Sequence, residues 1–271
     1  MKIYESLEDI LLSASADEKI KKFNAFYSKY GSECIFSTAA SAKSFEKPSY
    51  SKFCQIISPR EVPKRKNFKT KEGLFYLLHA ICHIEYSAID LALDICYRFR
   101  DMPREFYDDW VEVARDEVRH FLMVKEIMNE LGYDYGDIPV HDALFEALKR
   151  TEHSLLDRLA VVPRYLEAKG LDVNPLIIAK LEPFKSDKLI KKSIEAMKVI
   201  LDEEIGHVKK GDKWFRYLCK RNGLSEDIYF EIIKRYYPTG FKKIKNLNIK
   251  ARKEAGFSCK ELKNIGGKDV C

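Results

Sequence analysis

Hydrophobic residues recur along most of this chain at spacings of three and four, which is the period of an amphipathic α-helix. Alternating patterns typical of β-strands are scarce. Four long segments keep the helical period, and they predict helices at about 71–99, 104–131, 151–169 and 187–221. With one long crossover between its halves, near 132–150, such a set favours an all-α fold of the four-helix bundle type.

Capping and helix-breaking residues set the predicted ends of the third helix. Thr151 can cap its start, and Gly170 is expected to end it. Pro163 is expected to kink it, because proline removes an internal hydrogen bond. Asn174 as a cap and Pro175 at the first helical position then predict the start of another short helix.

The helical pattern weakens at both ends of the chain, which predicts three regions. Residues 1–58 contain one or two helices and a stretch of Ser, Lys and Pro, and they form an N-terminal helical extension. The bundle occupies residues 59–236. A basic C-terminal tail follows at residues 237–271.

Each long helix places a glutamate in the middle of an apolar stripe, and two of these glutamates are followed three residues later by a histidine, in "ARDEVRHF" and "LDEEIGHV". Burying an unpaired carboxylate costs several kcal/mol or more. Lysine and arginine are few on the same stripes, with Arg164 the main exception. A pair of divalent cations would neutralise the four carboxylates.

One Glu from each of two helices with a Glu-x-x-His from each of the other two is the arrangement that holds two metal ions in di-iron carboxylate bundles. Glu85 lies 14 residues before the end of the first helix and Glu117 lies 13 after the start of the second, so an antiparallel hairpin places them at nearly one height. For the third helix, His153 and Asp157 are alternatives to its glutamate. The predicted metal ligands are Glu85, Glu117, His120, Glu167, Glu204 and His207.

Other polar residues are candidates for supporting the ligands. Ligating histidines usually donate their second N–H to a carboxylate or carbonyl, and an acid lies four residues before each predicted histidine ligand. Ordinary salt bridges between helices are the alternative role. The candidates are Asp116, Glu203, His83, Asp157 and Arg164.

Composition indicates an ordinary folded protein, since 46% of residues are hydrophobic and 33% are charged. No apolar run approaches the ~20 residues that cross a bilayer, and the N-terminus lacks the features of a signal peptide, so we expect a cytoplasmic protein with no membrane partner. Seven cysteines at irregular spacings, without C-x-x-C, predict neither a disulfide framework nor a zinc ribbon. The net charge of +6 is concentrated at 60–71 and 235–271, which makes RNA a candidate partner; solvated lysine is the alternative.

Several stretches also resemble a known family: "LHAICHIEYSAIDLALD", "ARDEVRHF", "LAVVPRYLEAKGLDVNP", "LDEEIGHVKKGDKWF" and "ARKEAGF", between about Pro59 and Phe257. They are similar to a ferritin-like family catalogued as domain of unknown function 455. The resemblance implies a ferritin-like fold and a di-iron site with the same six ligands. By fold, the family is grouped with tRNA-hydroxylating di-iron enzymes. The resemblance does not indicate which substrate this protein would use.

These patterns predict a di-iron oxidoreductase of the O2-dependent hydroxylase or oxygenase type, acting on an unknown organic substrate. Its cofactors would be two Fe ions, with Mn the alternative. A separate reductase would supply electrons, because no dinucleotide-binding glycine motif is present. The alternatives are an iron-handling ferroxidase or storage protein without organic substrate, and an RNA-binding protein with a structural metal site that uses residues 60–71 and 240–253.

Overall fold

A computed structural model describes residues 1–31, 34–36, 41–63, 67–241 and 246–266. Throughout these residues the regular structure is helical, apart from two isolated bridges between single residues. The all-α prediction is therefore confirmed. The basic segments predicted as candidates for RNA binding lie partly outside the described residues.

The chain divides into two compact units, which are described separately. Unit 1 comprises Met1–Glu152 and Ser186–Ala196. Unit 2 comprises His153–Lys185 and Met197–Cys271.

Unit 1 is built around a long helical hairpin. Thr70 begins its first helix by accepting a hydrogen bond from the N–H of Gly73, and the two long helices have the most extensive contact in the unit. Two short N-terminal helices pack against this hairpin, as does the helix of the crossover. The helices are α1 (Ile3–Leu11), α2 (Ala16–Tyr27), α3 (Lys71–Arg98), α4 (Arg104–Glu130) and α5 (Ala143–Arg150).

Unit 2 begins with a helix whose geometry changes from α-helical to π-helical and back. After α6 the chain makes a six-residue π-helical segment, Val162–Glu167, and then returns to α-helical geometry. The segment expected as a basic tail contains two further helices with buried side chains. The helices are α6 (Leu155–Val161), α7 (Ala168–Leu181), α8 (Lys188–Arg221, whose first residues belong to unit 1), α9 (Ile228–Tyr236), α10 (Ile249–Glu254) and α11 (Cys259–Gly266).

The predicted bounds of the third long helix are wrong at both ends. Ser154 caps α6 by accepting from the N–H of Asp157, whereas the Thr151 hydroxyl donates to carbonyls at the end of α5. Gly170 lies inside α7, without the positive φ that a helix-ending glycine adopts.

A separate helix starting near residue 174 is also not observed, because α7 continues through Pro175 to Leu181. Asn174 does not act as a cap. Its side-chain amide donates to the carbonyl of Met197 at 3.2 Å, a contact between distant parts of unit 2 that local sequence does not show.

None of the described helices combines the length and hydropathy that crossing a membrane requires.

Candidate metal centre

Three of the six predicted ligands meet inside unit 1. Glu85 comes from α3, and Glu117 and His120 come from α4. The His120 Nδ1 atom lies 3.3 Å from Glu85 Oε2 and 3.4 Å from Glu117 Oε2. All three residues are buried, and one ligand atom from each lies within 4.8 Å of the others. This group of carboxylates and imidazole could hold a metal ion.

The hairpin explains why these side chains meet. Residues one turn apart on a helix share a face, so Glu117 and His120 point to the same side of α4. The close packing of α3 on α4 then places Glu85 opposite them. Buried apolar residues flank the three positions along both helices, and the three side chains are themselves buried.

The electrostatics of the cluster favour a cation. Burial lowers the pKa of His120, but its hydrogen bonds to Glu117 and Glu85, with their negative charges, outweigh burial and raise that pKa to about 11. A proton on His120 therefore balances part of the buried negative charge. A metal ion supplies the same compensation, and because it needs neutral imidazole as a ligand, its binding releases that proton.

Unit 2 carries the second Glu-x-x-His pair and the remaining predicted ligand. Glu204 and His207 lie one turn apart on α8, and His207 Nδ1 is 2.8 Å from Glu204 Oε2. The His207 side chain is buried. Glu167 ends the π-helical segment, and one of its carboxylate oxygens is buried.

The π-helical segment explains why regular α-helical spacing does not predict the face on which Glu167 lies. A π turn contains an extra residue, so side chains after it lie on a different face from the one that regular α-helical spacing predicts. Pro163 is the second residue of this segment, and its lack of an N–H suits a change in hydrogen bonding there. Single π turns inside α-helices are frequent at functional sites, and this one ends at a predicted ligand.

The two sequence alternatives to Glu167 have other partners. Asp157 accepts hydrogen bonds from the Tyr236 hydroxyl at 2.8 Å and from Arg235 at 3.2 Å. His153 is mostly exposed, with its Nε2 3.4 Å from the Tyr236 hydroxyl.

The other predicted supporting residues of unit 1 contact groups that are not ligands. His83 uses both ring nitrogens: Nε2 donates to the carbonyl of His141 at 2.7 Å, and Nδ1 accepts from the Tyr135 hydroxyl at 2.8 Å. Asp116 pairs with Arg115 at 2.9 Å and with Arg119 at 3.4 Å.

In unit 2, Glu203 is half-buried on α8, and Arg164 is completely buried. The Arg164 guanidinium pairs with Asp212 at 2.9 Å and with Glu261, and it lies over the ring of Tyr229. Sequence reasoning missed both acidic partners. The only signal in the sequence was Arg164 itself, a cation on an apolar stripe that needed a negative charge.

Comparison with known proteins identifies a family whose description names no activity. The sequence profile of a family described as "Protein of unknown function (DUF455)" matches residues 12–263. A Haemophilus influenzae protein named "Uncharacterized protein" is 40% identical over 215 residues, which cover 76% of this chain and 72% of that protein. No solved structure matches the chain, so the fold relation to ferritin-like di-iron proteins stays a prediction.

Proposed function

We propose that this chain, which belongs to the family of unknown function DUF455, is a non-haem di-iron oxidoreductase that uses O2 and an organic substrate. The family description assigns no reaction, so the proposal is argued from the residues of the chain itself. The observation that carries the proposal is the buried group of Glu85, Glu117 and His120. Buried carboxylates are retained where they are paired or bind metals, and this group has ligand types that suit Fe(II) or Mn(II).

The proposal extends to a second metal ion through the repeated sequence pattern. Glu204 and His207 repeat the pairing of Glu117 with His120, and Glu85 and Glu167 supply the two remaining carboxylates. Four carboxylates balance the charge of two divalent ions. This ligand set suits both metals, so Fe is chosen over Mn because of the resemblance to di-iron proteins.

When bound, two such ions supply the electrons for reduction of O2 and the oxidising power for the substrate. The residues of the chain orient the ligands, exclude water and hold a proton. The α3–α4 hairpin orients Glu85 and Glu117, and their burial excludes water that would compete for the ligand atoms. His120 Nδ1 holds a proton while the carboxylates lack a metal ion, and it gives up that proton when it becomes a ligand. A separate reductase restores the electrons after each turnover.

Metal content is the direct test. The full chain would be reconstituted with Fe(II) under anaerobic conditions, desalted and analysed for iron. We expect about two irons per chain, as for di-iron bundles, and a large loss in Glu117→Gln, which keeps the shape of the side chain but removes its charge. Glu112→Gln is the matched control, since Glu112 lies on the same helix with a half-exposed side chain.

Parent protein that holds no tightly bound iron or manganese would exclude the proposed centre. If iron binds, O2 consumption separates the reaction types. Consumption that continues only with an added substrate and reductant supports the oxidoreductase, whereas consumption that stops when Fe(II) is exhausted indicates iron handling.

A further inference from the structure

Unit 1 contains a cavity of about 540 Å³ whose walls combine apolar side chains with a few polar ones. One wall is a face of α3, and the others are residues 59–63 and 138–141. Most of the described lining side chains are aliphatic or proline, and none of them is aspartate or glutamate. This volume and composition are typical of small-molecule sites.

The cavity is distinct from the candidate metal centre. It is lined by Tyr76, His79, Ala80 and His83, which share one face of α3. At about 100° per residue, Glu85 lies on the opposite face of the same helix. A ligand in this cavity therefore does not touch the predicted metal ligands of unit 1.

His79 places a hydrogen-bond donor in the wall. Its Nε2 accepts from the N–H of Gly136 at 3.0 Å, so the neutral ring carries its proton on Nδ1. Burial keeps the ring neutral by lowering the pKa of His79 to about 4. The residue is only 1% exposed, and among the described residues Nδ1 has no hydrogen-bond partner. An acceptor oxygen of a ligand would give this N–H a hydrogen-bond partner.

Among the described residues of the lining, Arg60 is the only side chain with a permanent charge. It is exposed, and its guanidinium pairs with no acidic group in the described part of the chain. The planar guanidinium matches a carboxylate with two parallel hydrogen bonds. A single cation among described lining residues that include no acid favours a ligand with a single negative charge.

We propose that this cavity binds a small organic acid with an apolar body, whose carboxylate pairs with Arg60 and whose second acceptor oxygen receives the N–H of His79. The apolar body contacts Val140 and Ile84, and Ile84 is a large hydrophobic residue left 43% exposed. This site is independent of the proposed metal centre.

The probe for this site is 4-oxo-4-phenylbutyrate, which carries a carboxylate, a ketone and a phenyl ring. Binding to the full chain would be measured by isothermal titration calorimetry. Its amide lacks the charge and 4-phenylbutyrate lacks the ketone, so each should bind about tenfold more weakly, the usual effect of one charge-assisted or buried hydrogen bond. Phenyl phosphate tests the alternative anion, and tighter binding of phenyl phosphate would overturn the choice of a carboxylate.

Two variants locate the site. Arg60→Gln should weaken binding of the acid about tenfold and leave binding of the amide unchanged, while Arg221→Gln, which removes an exposed arginine in unit 2, should change neither. Ile84→Glu places a negative charge on an exposed position of the wall and should abolish binding of the acid without unfolding the protein. Absence of binding at millimolar probe, or full binding by Arg60→Gln or Ile84→Glu, would overturn the proposal.

Binding of the probe should persist in Glu117→Gln. This result separates the two proposals, because loss of the metal centre and loss of the acid site would then be independent observations. Equal loss of probe binding in Glu117→Gln and Arg60→Gln would contradict the separate site.

Discussion

Single buried charges in this protein are matched by opposite charges from other segments of the same unit. In unit 1, the completely buried Lys19 on α2 pairs with Asp90 on α3. In unit 2, Arg252 pairs with Asp172 at 2.6 Å. Such pairs add little net stability compared with apolar packing, but loss of one partner leaves the other charge buried and uncompensated. They therefore make the position of each helix sensitive to single substitutions.

The Lys19–Asp90 pair gives a prediction of this kind. Lys19→Met keeps the apolar stem but removes the charge opposite Asp90, so we expect the free energy of unfolding to fall by about 3–5 kcal/mol. Urea denaturation followed by circular dichroism measures it. The double variant Lys19→Met, Asp90→Leu removes both charges and should recover most of the loss. Equal instability of the single and double variants would show that packing, rather than the unpaired charge, is responsible.

His79 gives a prediction about pH. Its pKa is about 4 in the folded protein, below the ordinary value of about 6.5, so the unfolded chain binds a proton more readily between these values. The contribution of His79 to the free energy of unfolding is therefore fully present above about pH 6.5 and is lost as the pH is lowered towards 4. Urea unfolding at pH 7, 6 and 5 should show this fall, and His79→Gln should make it shallower. An unchanged slope in that variant would mean that other groups set the pH dependence.

At the scale of elements, the π-helical segment depends on close contact with α8 in unit 2. Pro163 packs against Gly211, and a Cβ atom added at Gly211 would overlap the proline ring. A Cβ added at Gly206, also in α8, would meet nothing within 4 Å. The two glycines therefore have different roles in one helix.

Gly211→Ala should destabilise the protein by about 1–3 kcal/mol, because the overlap forces the π-helical segment away from α8. Gly206→Ala should stabilise it by up to about 1 kcal/mol, because alanine favours helix more than glycine does. Thermal denaturation of the two variants side by side measures the difference. Stabilisation by both substitutions would show that the segment adapts without strain.

The same elements show how far the sequence alone predicts the fold. The bounds of α3, α4 and α8 agree with prediction to about one residue, because long apolar periodicity determines them. The helix containing Pro163 was mispredicted because its ends depend on contacts with distant residues, such as Asn174 with Met197. Likewise, the sequence pattern singled out Glu117 and His120, but it could not show that Glu261 lies against Arg164, 97 positions away.

For the whole molecule, metal binding and folding are expected to be linked. A ligand that binds only the folded state raises its apparent stability. We therefore expect Mn(II), which avoids oxidation during the measurement, to raise the melting temperature of the parent and of Glu112→Gln. Glu117→Gln should show a much smaller rise in differential scanning calorimetry, and equal rises in all three would place the metal elsewhere.

Both units are discontinuous in the chain, and this matters during synthesis on the ribosome. Unit 1 includes Ser186–Ala196, which emerges well after Glu152, and Arg164 in unit 2 waits for Glu261, which follows 97 positions later. Nascent chains are made at about 5–20 residues per second, so these partners appear seconds apart. Until then the early segments remain incomplete, and a chaperone that holds the emerging polypeptide would act mainly in that interval.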